Sequence, residues 1–155
     1  MDKFGKSQSV TRVEDVRFLT GQGRYLDDIA PQGALRAFVL RSPVAHAAIA
    51  HLDKAEAEAA PGVHLVLTGQ DLLDAGITQG LPASLASNRD GTKGAAPKRP
   101  VLAEGRVRHV GEPVALIVAD TLAQARDAAE LVEVDYDDLP VHIDTGPGDA
   151  EIHPE

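Results

Sequence analysis

Residues 113–136, PVALIVADTLAQARDAAELVEVDY, decide the fold class. Pro113–Ala119 is a continuous apolar run of strand length, so it reads as a buried strand. Pro113 has no N–H to give to a ladder, and the strand therefore starts there or lies at an edge. Asp120-Thr121 then caps a helix, with Gln124 at the capping-box position. Along that helix Leu122, Ala125, Ala129 and Val132 fall on one face; Gln124, Arg126, Asp127 and Glu130 fall on the other. The chain passes directly into a second strand, Val132–Tyr136.

Residues 45–68, AHAAIAHLDKAEAEAAPGVHLVLT, repeat this order. The apolar run Ala45–Leu52 resumes a strand, Leu35–Arg41, that Pro43 interrupts. Asp53 and Glu56 have capping spacing for a helix over Lys54–Ala60, which Pro61-Gly62 stops. Val63–Thr68 is a strand with Val63, Leu65 and Leu67 on one face and His64 and Val66 on the other. Thr68 and Asp71 repeat the capping spacing before a single turn, Gln70–Ala75, which Gly76 ends. Arg106–Val110 and Pro113–Ala119 read as a strand pair. Two strand–helix–strand units in so short a chain predict an α+β architecture, a mixed sheet with two principal helices. Residue identity between the two units is low, so they share a grammar of elements rather than a visible ancestor.

The flanks differ from this centre. Residues 1–34, punctuated by Gly21, Gly23, Pro31 and Gly33, predict an extended N-terminal segment anchored by Phe4, Phe18 and Tyr25. Residues 35–143 form the folded domain, and 144–155 an exit linker or tail ending IHPE. Between the two units, residues 76–100 carry glycines and prolines and little periodicity, a length of loop that tends to be functional or disordered.

Composition narrows the function classes. Among 155 residues, 15 Lys and Arg face 24 Asp and Glu, a net charge of −9 that disfavours nucleic acid as a partner. The chain is 43% apolar, enough for a folded core, and its few aromatics leave Ala, Val and Leu to build it. Cysteine is absent, which removes disulfides, thiol nucleophiles and Cys-ligated metal centres from this chain. The start MDKFGKSQSV has no apolar core of a signal peptide, and no apolar run approaches the roughly 20 residues that cross a bilayer. A cytoplasmic protein without membrane insertion is the expectation.

No motif brings chemistry with it. There is no phosphate-binding loop, no G-x-S-x-G and no H-E-x-x-H. Gly21-Gln22-Gly23 reads as a tight turn. The six histidines, His46, His51, His64, His109, His142 and His153, have no pair at metal-ligand spacing. The clusters Glu14-Asp15, Asp27-Asp28 and Asp135 with Asp137-Asp138 read as solvated turns. An acidic hydrolase using Asp135, Asp137 and Asp138 is the enzyme reading they leave open. Ser42, followed by Pro43, has no nucleophile elbow. No catalytic, cofactor-binding or metal residue is expected.

Four phrases occur in order: FGKSQSVTRVEDVRFLTGQGRYLDDI (4–29), ALRAFVLRSPVAHAAI (34–49), PGVHLVLTGQDL (61–72) and RVRHVGEPVALIVADTLAQARDAAELVEVDYDDLPV (106–141). Together they resemble the start of the molybdopterin-binding large subunit of the xanthine dehydrogenase, aldehyde oxidase and aerobic carbon monoxide dehydrogenase family, most of all its carbon monoxide dehydrogenase-like members. The resemblance implies an α/β-hammerhead domain. It implies oxidation at a molybdenum centre held by a molybdopterin-type cofactor, with electrons leaving through Fe–S and flavin partners. The family's cofactor contacts and catalytic glutamate lie downstream and have no counterparts here, so the 155 residues are expected to be an inactive piece of the large subunit. The loop before the VGEPVA-like strand lies near the family's substrate funnel. Here it is Ala95, Ala96, Pro97, Lys98 and Arg99, small and polar where relatives are bulkier. Arg12, Arg17 and Arg24 are candidates for contact with the rest of the subunit or the Fe–S partner. Ala48 replaces a basic residue common in relatives. The alternative is a stand-alone interaction or scaffold domain, and self-association of the isolated chain is expected from surface that partners normally cover.

Overall fold

The structure is a computed structural model that describes residues 12–77, 80, 87–94, 96–146, 148, 152 and 153. It divides into two units, Met1–Ala34 and Leu35–Glu155. In the first, Asp15–Leu19 forms a single helical turn, α1, and Leu26–Asp28 a 3-10 turn. The extended segment expected there is thus locally helical. Asp15 accepts a hydrogen bond from the Arg12 N–H and Asp28 one from the Tyr25 N–H, each at 2.9 Å. These carboxylates close turns by satisfying backbone donors. Phe18 and Tyr25 stack with ring centroids 5.4 Å apart, and Arg17 lies over Phe18. Phe4 lies outside the described residues.

The second unit runs β1 (Arg36–Arg41), β2 (Ala47–Asp53), α2 (Ala55–Ala59), β3 (Val63–Thr68), α3 (Gly69–Asp74), β4 (Arg106–Val107), β5 (Pro113–Ala119), α4 (Leu122–Ala129) and β6 (Glu133–Asp138). The α+β class holds. The single mixed sheet does not: there are two three-stranded sheets, β1-β5-β3 and β4-β2-β6, and every pairing is antiparallel. The expected partnership of Arg106–Val110 with β5 is also replaced. Only Arg106–Val107 is strand, and it pairs with β2. Pro113 opens a central strand, opposite Arg41 at a register shift, where its missing N–H is tolerated.

β5 explains the architecture. Ala115, Ile117 and Ala119 are buried against Ala57 of α2 and Ala125, Ala128 and Ala129 of α4. On its other face Val114 joins a second cluster with Ala47, Ala103 and Val107. Leu52 and Val134 pack against both clusters, which joins the two sheets. Alanine and valine dominate the buried set, with Leu102 its single leucine and Ile117 its largest side chain among the described residues. Small residues on α4 let the helix backbone sit close to the sheet, and Leu122, expected on the apolar face, is 40% exposed at its first position. On β3 the buried face is Val66 and Thr68, while Leu65 is 44% exposed; a register shift between Val63 and Leu65 separates the two ends of the strand.

The caps sort the sequence signals. Thr68 and Asp71 form a reciprocal capping box on α3, and Thr121 accepts from the Gln124 N–H at the start of α4. Asp53 and Glu56 do not form the expected box. Asp53 accepts instead from the Ala55 N–H at 2.8 Å. Asp120 pairs with His64 at 2.8 Å rather than capping α4.

Candidate functional site

The turn between β4 and β5 is fixed before any cavity exists. Gly111 takes φ +86°, a conformation that glycine adopts without steric cost. Its N–H donates to Ser42 O at 2.8 Å, and the Ser42 N–H donates back to Glu112 O at 2.9 Å. The Arg41 guanidinium adds a bond to Gly111 O at 2.8 Å. Glu112 is 7% exposed and its carboxylate accepts from the Arg108 backbone N–H. A buried carboxylate is therefore satisfied by the turn it sits in.

The chain before β4 packs onto this turn. The Ala103 N–H donates to Pro113 O at 2.7 Å, and Lys98 Nζ meets Glu104 Oε2 at 2.5 Å. A Cβ on Gly80 would lie 1.7 Å from Arg99 O, so only glycine lets these two backbones approach. Between the segments lies a cavity of about 560 Å³, bounded by Pro97, Lys98, Arg99 and Pro100 on one side and Arg108, Glu112 and Pro113 on the other. That volume suits a small organic ligand.

Of the predicted funnel loop, Pro97, Lys98 and Arg99 line this cavity; Ala96 is exposed and outside its lining, and Ala95 lies outside the described residues. Arg108 and Glu112 carried no expectation from sequence, and His109 and His153 were weighed there as metal ligands alone, yet all four line it. Gly111-Glu112-Pro113 held the available signal, a charge pinned between two turn residues at the mouth of a buried strand. Arg12, Arg17 and Arg24 are exposed in the first unit.

The other polar clusters are structural. Lys54 Nζ bonds Asp71 at 2.8 and 2.9 Å, Val66 O at 3.0 Å and Glu58 at 3.0 Å, so its three donors are committed. Burial pushes the Lys54 ammonium down, but hydrogen bonds and charge from Asp71 and Glu58 outweigh it and raise the pKa. Asp71 is the converse. Burial pushes it up, and bonds from Lys54 and Thr68 with the Lys54 charge bring it below the usual carboxylate range. A protonated, fully engaged lysine is no nucleophile at neutral pH. Asp135, Asp137 and Asp138, expected in a turn, lie exposed along β6. His46 is buried and its Nδ1 donates to Pro140 O at 2.7 Å, holding the exit of that strand. Among the described residues no three His, Asp or Glu side chains converge as metal ligands. No helix among the described residues is long and apolar enough to cross a membrane.

Two antiparallel sheets with an Ala-rich core, and a cavity at the loop end lined by prolines and a few charged side chains, define a small α+β module. Residues 20–140 match the family model for the aldehyde oxidase and xanthine dehydrogenase a/b hammerhead domain, and the chain belongs to that family. It is 44% identical over 135 residues to the nicotine 6-hydroxylase large subunit of Paenarthrobacter nicotinovorans, covering 87% of this chain and 16% of the relative. Among solved structures, quinoline 2-oxidoreductase from Pseudomonas putida 86 aligns with a TM-score of 0.76 at 45% identity, over 85% of this chain and 16% of that one. The Cu,Mo-CO dehydrogenase aligns with a TM-score of 0.71 at 39% identity, over 87% of this chain and 16% of the other. The chain thus matches a small N-terminal domain of molybdenum hydroxylase large subunits and spans about a sixth of their length.

Among the described residues, the chemistry does not fit a seat for a molybdopterin-type cofactor. Phosphate-bearing groups are commonly cradled by backbone N–H donors at glycines that allow close approach. Gly69 and Gly80 do make close approaches, but to this chain's own Ala103 and Arg99 carbonyls.

Proposed function

We propose that this chain is the hammerhead module of a molybdenum hydroxylase large subunit. On this reading Pro97, Lys98 and Arg99 supply part of the substrate-channel wall, and the molybdenum cofactor and reacting groups come from the remainder of the subunit. The observation that carries it is the cavity at the end of β5, walled by the loop that the family resemblance assigns to the funnel. The folded domain is 35–143, with 144–155 as the linker leaving it. Arg12, Arg17 and Arg24, exposed and without an ion pair among the described residues, meet the rest of the large subunit or an Fe–S partner. A flavin subunit or domain completes electron transfer. Val13, Val16, Leu19 and Leu26 are exposed on the same unit, which makes self-association of the isolated chain the expected result of ultracentrifugation. The assembly resides in the cytoplasm, which cell fractionation tests.

Exchange of domains tests the core of the reading. Residues 12–143 replace the matching segment of the nicotine 6-hydroxylase large subunit, coexpressed with that enzyme's own partners. The chimera is expected to retain molybdenum and hydroxylate, with changed substrate preference. A folded chimera that assembles with those partners and holds molybdenum, yet turns over no substrate of any size, would sink the channel-wall role.

A further inference from the structure

The lining of the cavity runs against the chemistry of the chain. The sequence carries a net charge of −9, yet Lys98, Arg99 and Arg108 face this space with Glu112 as the single lining carboxylate among the described residues. That carboxylate is already engaged by the Arg108 backbone N–H. Lys98 is held by Glu104, whereas Arg99 is exposed and has no ion-pair partner among the described residues. Its planar guanidinium is free to offer two parallel donors, a geometry that matches a carboxylate. Pro97, Pro100 and Pro113 supply flat apolar walls beside these cations. We infer that the cavity binds a small carboxylate-bearing ligand with a planar apolar body, its carboxylate on Arg99 and its ring against the prolines.

The inference deepens the proposed function and rests on it for the use of the site: it names the substrate class that the channel wall favours. Binding itself is a property of this chain and needs no partner. The test is titration of the full 155-residue chain with benzoate, benzamide and acetate, followed by amide chemical shifts in NMR. Benzoate is expected to bind about tenfold more tightly than benzamide, since a charge-assisted bond replaces a neutral one. It should also bind more tightly than acetate, which lacks the ring, and its shifts should centre on Lys98 to Val101 and Arg108 to Glu112. Arg99→Gln, which removes an exposed and unpaired group, should bring benzoate to the affinity of benzamide without changing the rest of the spectrum. Equal binding of benzoate and benzamide overturns the inference, as do shifts away from these segments. Acetate binding as tightly as benzoate reduces the site to an adventitious anion only, and overturns it too. Loss of activity in the domain-exchange chimera beside intact benzoate binding breaks the channel-wall reading alone. An active chimera whose chain ignores benzoate breaks the carboxylate site alone.

Discussion

The sheet built around β5 and the sheet built around β2 have three strands each and differ in what covers them. The first carries α2 and α4, and its cluster is closed by alanines that let the helices sit close. The second has no helical residue in its cluster, and its edge strand β6 leaves Glu133, Asp135, Asp137 and Asp138 in solvent. Burial removes apolar surface from water in proportion to area, so cohesion concentrates in the covered sheet. The uncovered sheet spends its residues on surface. A domain that serves as one part of a larger subunit can combine the two, one half holding itself together and the other half facing outward.

Truncation of equivalent side chains should separate the halves most clearly. Ile117→Ala empties the largest fully buried site of the covered sheet and is expected to cost about 2–5 kcal/mol. Ile49→Ala, at a half-buried position in the other sheet, should cost about 1–2 kcal/mol by urea denaturation. Equal losses would dissolve the distinction.

The link between the halves is sensitive to pH. Lys54, just past β2, grips Asp71 at the start of α3, just past β3. Asp71→Asn is expected to cost about 1–2 kcal/mol, since it removes the charge facing Lys54 and leaves one acceptor oxygen where Lys54 and Thr68 now use two. Asp71 has a lowered pKa, so its contribution is present above the unfolded value near 3.9 and is lost as pH falls through the folded one. Lys54 has a raised pKa, so its contribution is complete below about 10.4 and is lost as pH rises through the folded value. The wild-type advantage over Asp71→Asn should therefore hold between about pH 4 and 10.4 and shrink outside that window. An advantage unchanged at pH 2.5 would remove the pair from the account.

The smallest effect belongs to Ala48. It sits opposite Asp137 on β6 and Arg106 on β4, so a basic residue there meets one attractive and one repulsive neighbour. Ala48→Arg is expected to change stability by less than about 0.5 kcal/mol, because cross-strand charge pairs are each worth only about 0.2–1 kcal/mol. A gain well above that, read from the urea midpoint, would show that Asp137 dominates the uncovered sheet.

Local features were legible wherever the chain alone determines them. The bounds of β3 and β5 follow from apolar runs closed by Pro, Gly and Asp, and the caps at Thr68 and Thr121 follow from side chains that reach a backbone three residues on. Pairing was not legible. Alternation shows that a strand has two faces, but not which one a helix will cover, and Val66 rather than Leu65 is the buried side of β3. The strands form two sheets because β1 and β3 take both edges of β5 while β2 pairs with β6, and β4 joins β2 with Val107 buried beside Ala47. The site was half legible. Pro97, Lys98 and Arg99 came from family resemblance, while Arg108 and Glu112 reach the same cavity only through the Ser42–Gly111 backbone bonds that set the turn.

The position of β5 has a consequence in time as well as space. It is the middle strand of its sheet, yet it is made after both neighbours: β1 and β3 touch each other only through it. While the ribosome is still adding residues before 113, β1 and β3 lack the strand that joins them, and α2 is the helix then made to cover the first sheet's apolar cluster. Such long-range pairing slows folding and lengthens exposure to aggregation. The first sheet therefore cannot be completed until β5 is made, and the second not until β6 pairs with β2.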